Sequence, residues 1–122
     1  HQNNRVVVLE KLEGGAMRSR KTELDGYVFD SAGEAERYAE LKLMQSAGTI
    51  SDLAIHVPFA CEVNGFLVCK YIADFVYWDV EQGQKVVEDY KGYKGGPAWA
   101  LFRVKAKLVQ AIYGIEIKVV TK

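Results

Sequence analysis

The sequence predicts a single α/β domain: a helix, a three-strand meander, a second helix and a last strand, with a mixed four-stranded sheet flanked by the helices. Three observations predict it. An Asn64-Gly65 pair separates two apolar runs, Leu53–Val63 and Phe66–Trp78, the strongest short-range signal for a β-hairpin. Apolar residues recur at helical spacing from Pro97 to Tyr113, between Pro97 at the start and Gly114 just past the end. That helix joins the strand Gln84–Lys91 to Ile115–Val120. A strand–helix–strand crossover makes the last strand parallel to the third, with a right-handed connection.

The individual elements follow in order. Arg5–Leu9 suits a short strand, followed by a Gly14-Gly15 break. Arg18 to Lys21 is basic and suits a mobile arm. Asp25-Gly26 is the tip of a turn, and Tyr27–Phe29 suits a second short strand. The first helix starts at Asp30 or Ser31, with Glu34 completing a capping-box pattern after Ser31. It runs to about Gln45 or Ser46 and stops near Gly48. Pro58 gives its strand an edge position or a bulge. The polar turn from Asp79 to Gln84 joins the second and third strands of the meander. The second helix carries one stripe of Trp99, Phe102, Ala106, Val109 and Tyr113 and another of Leu101, Val104, Leu108 and Ile112. One should face the sheet. The other should meet the first helix, an N-terminal strand or a second subunit.

With 122 residues the chain can bury a real core, and 49% hydrophobic with 26% charged residues is a globular composition. No apolar run approaches the roughly 20 residues that span a membrane, and no signal-peptide pattern opens the chain. A cytoplasmic protein with no membrane partner is the expectation. His1 in place of Met points to a trimmed or engineered terminus. Sixteen basic residues balance sixteen acidic ones. That argues against a passive nucleic-acid binder but not against an enzyme whose acidic residues gather at a metal. The two cysteines, Cys61 and Cys69, flank the Asn64-Gly65 turn, whose centring pairs Cys61 with Val68. Both are expected to be reduced, apolar residues.

The chemistry starts from Asp74, Asp89 and Lys91. Side chains alternate along a strand, so Asp89 and Lys91 share a face and Glu88 points the other way. A turn centred near Glu81-Gln82 sets Asp74 directly opposite Asp89. Opposed carboxylates about 5 Å apart destabilise a sheet, and a hard cation between them would explain the arrangement. Glu34 leans to the apolar side of the first helix, between Tyr38 and Leu41, at roughly 100° per residue. It is the N3 residue of a capping box, and it is also a candidate third oxygen ligand. Carboxylates with a neighbouring lysine match metal-assisted phosphodiester hydrolysis. Mg²⁺ takes one or two carboxylates plus substrate phosphate, and lysine orients a water or neutralises the phosphorus centre. A lone Asp-x-Lys is otherwise a common surface ion pair.

Glu34, Asp74 and Asp89-Tyr-Lys91 together resemble the motif set of the PD-(D/E)xK nuclease superfamily, and the element order resembles its restriction-endonuclease-like core, α-β-β-β-α-β. The segments Lys21–Ser31, Glu34-Ala35, Tyr38–Lys42, Tyr71–Tyr77 and Glu88–Gly92 are similar to a family of small phage proteins within that superfamily. Archaeal Holliday junction resolvases are more distantly similar. The resemblance covers about residues 27–120. It implies that Glu34, Asp74 and Asp89 bind Mg²⁺ or Mn²⁺ and that Lys91 is the catalytic lysine of a deoxyribonuclease. Ala73 replaces the Pro that usually precedes the first Asp. His56 stands where similar phage sequences tend to have Gln, and a lone His near a strand end is more often structural.

DNA is the expected partner. Lys94 with its glycines, Arg103 and Lys107 would form a phosphate-binding rim, and Arg18, Arg20 and Lys21 an arm; a solvated loop and helix face is the plain alternative. Tyr90 and Tyr93 are candidates for base stacking, with Tyr90 on the face of a core residue. By analogy with minimal members of such folds, the substrate is branched DNA and the assembly a homodimer. The rivals are a non-cleaving module that binds DNA or a host protein, an assembly protein using the extra apolar stripe, and an RNA substrate.

Overall fold

The computed structural model describes residues 6–13 and 17–121, with side chains from Lys21 onward. The backbone forms two compact units, residues 1–40 and 41–122.

In the first unit, β1 (Val6–Glu13), β2 (Met17–Leu24) and β3 (Tyr27–Phe29) form an antiparallel sheet in that order. The expected short strand is therefore longer, although Arg5 and the Gly14-Gly15 break lie outside the described residues. Arg18 to Lys21 is not an arm. It is the middle of β2, with Arg20 opposite Glu10 and Lys21 opposite Leu9. A basic segment with no apolar alternation still forms a strand when a neighbour supplies the ladder. Asp25 (φ 54°) and Gly26 (φ 83°) are both left-handed, as a two-residue hairpin joining β2 to β3 requires. Phe29 and Tyr38 pack at 5.1 Å between ring centroids, and Tyr38 donates to Asp25 Oδ2 at 3.1 Å.

Helix α1 (Ala32–Ser46) runs from the first unit into the second. Of the two candidate caps it uses Ser31, whose Oγ accepts the Glu34 backbone N–H at 3.1 Å. Its last carbonyls are taken by the N–H groups of Ala47, Gly48 and Thr49, with Gly48 at φ 84°.

The second unit holds a four-stranded sheet in the order β4 (Ile50–Val63), β5 (Phe66–Asp79), β6 (Gln84–Tyr90), β7 (Lys118–Val120). The first two junctions are antiparallel and β6–β7 is parallel, as the crossover rule requires. Strand β4 starts earlier than expected, and its register shifts between Ser51 and Ala54, where Asp52 is left-handed. Pro58 sits on an edge strand. The last strand is shorter than Ile115–Val120, but Ile115 and Ile117 still pack on the core.

A bulge corrects the cysteine register. Val63 pairs with Phe66 and Glu62 with Leu67, but the register then slips by one residue, and Cys61 faces Cys69 instead of Val68. Both cysteines are free thiols. Burial pushes the Cys61 thiol pKa up, and the adjacent Cys69 adds to the rise.

Helix α2 (Gly96–Tyr113) closes one face of this sheet. Pro97 lies in its first turn, and Gly114, left-handed at φ 70°, caps its end with an N–H to Gln110 O at 2.9 Å. The Trp99–Phe102–Ala106–Val109 stripe meets Phe59, Cys61, Tyr71, Ala73, Val76 and Val87, and Tyr113 Oη donates to Ala60 O at 2.6 Å. In the second stripe only Leu108 packs on this core. Leu101, Val104 and Ile112 are exposed among the described residues.

Candidate active site

The β5–β6 hairpin closes with Asp79 opposite Gln84, which centres its loop on Glu81-Gln82. Pairing continues to Phe75 opposite Glu88 and then stops. The next step in that register is Asp74 and Asp89. Here side chains take over from the ladder, since Asp74 Oδ2 accepts the Tyr90 backbone N–H at 2.7 Å. Alternation in β5 also breaks at this point. Ala73 and Val76 differ in parity yet join one core cluster. Glu88 points the other way, wholly buried, and accepts a hydrogen bond from Tyr77.

Asp89 is only 3% exposed and has two different oxygens. Oδ1 accepts the Tyr71 hydroxyl at 2.7 Å. Oδ2 lies 2.8 Å from Lys91 Nζ as a close ion pair. The same ammonium lies 4.4 Å from the centroid of the Phe102 ring, a cation–π distance. Phe102 in turn packs on Tyr71 at 6.1 Å. Tyr71, Asp89, Lys91 and Phe102 thus close a ring of contacts drawn from β5, β6, the segment after β6, and α2. Burial, and then the Asp89 charge, push the Tyr71 pKa far up, so the phenol stays protonated and remains a donor.

Of the sequence candidates, Asp74, Asp89 and Lys91 therefore come together at one end of β5–β6. Glu34 belongs to the first unit, where it is the N3 residue of α1 and 5% exposed. Lys94 Nζ sits 5.7 Å from the Trp99 ring centroid at the start of α2, and Arg103 and Lys107 are exposed on that helix. Lys21 pairs with Asp30 at 3.0 Å, while Arg20 is placed by its backbone in β2. Tyr90 is half-buried and Tyr93 is well exposed. His56 is exposed and left-handed at φ 52°, inside β4. The contacts at this candidate site that sequence reasoning missed are those of Tyr71 and Phe102. Phe102 looked like an ordinary member of an apolar stripe, and the Tyr71–Asp89 bond spans eighteen positions between two strands.

Among the described residues no group of three or more His, Cys, Asp or Glu is gathered so as to hold a metal ion. The second unit instead offers the two carboxylates of Asp74 and Asp89, with a lysine beside the latter. Mg²⁺ takes one or two protein carboxylates and completes its shell with water and phosphate. Asp89 Oδ2 is the oxygen not taken by Tyr71, buried and paired with the Lys91 ammonium, and a carboxylate oxygen of this kind fits the oxygen preference of such an ion. Among the described residues no helix is long and apolar enough to cross a membrane.

No curated protein and no solved structure shows significant similarity to the chain. Residues 16–121 match a protein family described as protein of unknown function (DUF1064). The match leaves out only the first fifteen residues and the last, and the chain belongs to this family.

Proposed function

We propose that the protein is a divalent-metal-dependent nuclease that hydrolyses DNA phosphodiester bonds on a restriction-endonuclease-like core. The observation that carries this reading is the 2.8 Å pair of buried Asp89 and Lys91, one register step beyond the last β5–β6 pair and level with Asp74. A sheet that needed only stability would not set two acids at one step. Bound there, Mg²⁺ or Mn²⁺ would offset charge on a phosphate oxygen and acidify a water. Asp89 Oδ2 and Asp74 would hold the ion. Lys91 Nζ would face the phosphate or the attacking water, held between Asp89 and the Phe102 ring. Lys94, Arg103 and Lys107 would grip flanking phosphates, and exposed Tyr93 offers a surface for base stacking. Branched DNA and a homodimeric assembly fit a minimal core of this kind by analogy alone.

The test is incubation with single-stranded, duplex, flap and four-way-junction DNA, in Mg²⁺ and in chelator. Cleavage should need the metal and should vanish in Asp89→Ala and in Lys91→Ala with circular dichroism preserved. Cleavage undiminished in both variants sinks the proposal.

One observation favours a second reading, a non-cleaving module that binds DNA or a host protein. Asp74 Oδ2 and Asp89 Oδ1 are already engaged within the fold, as they would be in a purely structural site. A calorimetric Mn²⁺ titration with no binding supports that module over the enzyme.

A further inference from the structure

The two oxygens of Asp89 are not equivalent, and Tyr71 is the reason. Its hydroxyl reaches Oδ1 at 2.7 Å. Its ring is held by Phe59 at 6.2 Å and by Phe102 at 6.1 Å, so the hydroxyl has little room to swing away. Both residues are buried, so bulk solvent does not compete for this bond. Oδ2 is left facing the Lys91 ammonium at 2.8 Å. Resting on the metal reading above, we infer that Tyr71 is a positioning residue: its hydroxyl reserves Asp89 Oδ1 and leaves Oδ2 as the single atom offered to a divalent cation, beside Lys91.

A carboxylate with both oxygens open is able to take a cation with either or both, and it turns freely about its own bond. Holding Oδ1 fixes the plane of the group and aims Oδ2. The effect falls on ligand geometry, as with other groups that orient a metal ligand. A purely structural tyrosine would instead act on stability alone.

The experiment measures Mn²⁺ binding by calorimetry on the full chain as wild type, Tyr71→Phe and Asp89→Asn, with thermal unfolding recorded in chelator. Tyr71→Phe keeps the ring and loses the hydroxyl. Its Kd for Mn²⁺ should rise about 10–100-fold, the range found when a ligand's orienting partner is removed. Asp89→Asn should lose binding. Tyr71→Phe with wild-type affinity, whatever its melting temperature, overturns the inference alone. Asp89→Asn with wild-type affinity places the ion elsewhere and overturns the reading beneath it. A second measurement does not depend on any variant folding. In wild-type protein labelled at tyrosine, the buried Tyr71 hydroxyl proton should exchange slowly in chelator and still be seen at saturating Mg²⁺. Its disappearance would mean that the ion takes Oδ1 as well, which overturns the inference.

Discussion

Asp89 shows how much one side chain is asked to do. Its carboxylate is nearly out of water, where an uncompensated charge is costly, and it is balanced by one phenol and one ammonium. Replacing Asp89 with Ala strands the buried Tyr71 hydroxyl, which costs about 1–3 kcal/mol. The larger penalty for breaking a buried ion pair does not apply in full, because Lys91 is 27% exposed and reaches solvent. Urea unfolding of Asp89→Ala should therefore show a loss of that order; a gain in stability would mean that the site is strained. A second residue effect belongs to Tyr38, whose pKa is pushed up to about 12 by burial and then by its bond to Asp25. A phenol with a raised folded pKa adds stability that is whole below pH 10 and is lost as pH climbs toward 12. Alkaline unfolding of Tyr38→Phe should lack that decline between pH 10 and 12, checked by melting temperature against pH. At this scale Asp74, Asp89 and Lys91 were legible because charge in an apolar strand is conspicuous. Tyr71 and Phe102 were not, because tyrosine and phenylalanine in apolar runs are what any core contains.

Elements carried clearer signals where the cause is local. Ser31 and Glu34 announce a helix start, and the hydrogen bond from the Glu34 N–H to Ser31 Oγ forms as expected. Ser31→Ala should cost about 1 kcal/mol in denaturant unfolding, and a neutral result would mean that solvent caps α1 equally well. The Asn64-Gly65 and Glu81-Gln82 turns were equally readable, since turn residues set hairpin register. Non-local effects were hidden. The bulge after Cys61 carries no sequence mark, yet it moves Cys69 opposite Cys61. Facing thiols on neighbouring strands should close under a thiol oxidant such as diamide, seen as the loss of two hydrogens by mass spectrometry. The reaction should be slow at neutral pH, because the raised pKa of Cys61 keeps thiolate scarce. Free thiols persisting under excess oxidant at alkaline pH would contradict the facing geometry. The sheet β1–β2–β3 was likewise read only in part, because β2 has the composition of a solvated arm.

Over the whole molecule, charge is balanced, so any grip on nucleic acid comes from a local cluster. If Lys94, Arg103 and Lys107 are the phosphate contacts, log K for duplex DNA should fall with log salt at a slope of roughly −3, from about −0.9 per contact. Each Ala substitution should reduce that slope by about one. Binding indifferent to salt would remove the basic rim from the account. Composition, turn chemistry and period alone determined the order of helix, meander, helix and strand, and the placing of Asp74 on β5, Asp89 on β6 and Lys91 just past β6. These follow from local rules, in which each residue's preference depends on neighbours a few positions away. Only the tertiary structure decided which oxygen of Asp89 takes the Tyr71 hydroxyl and which faces Lys91, which ring lies under Lys91, which cysteines face, and which stripe of α2 is buried. Those outcomes depend on contacts between residues far apart in sequence, set by packing and register summed over the sheet. No single segment carries that information.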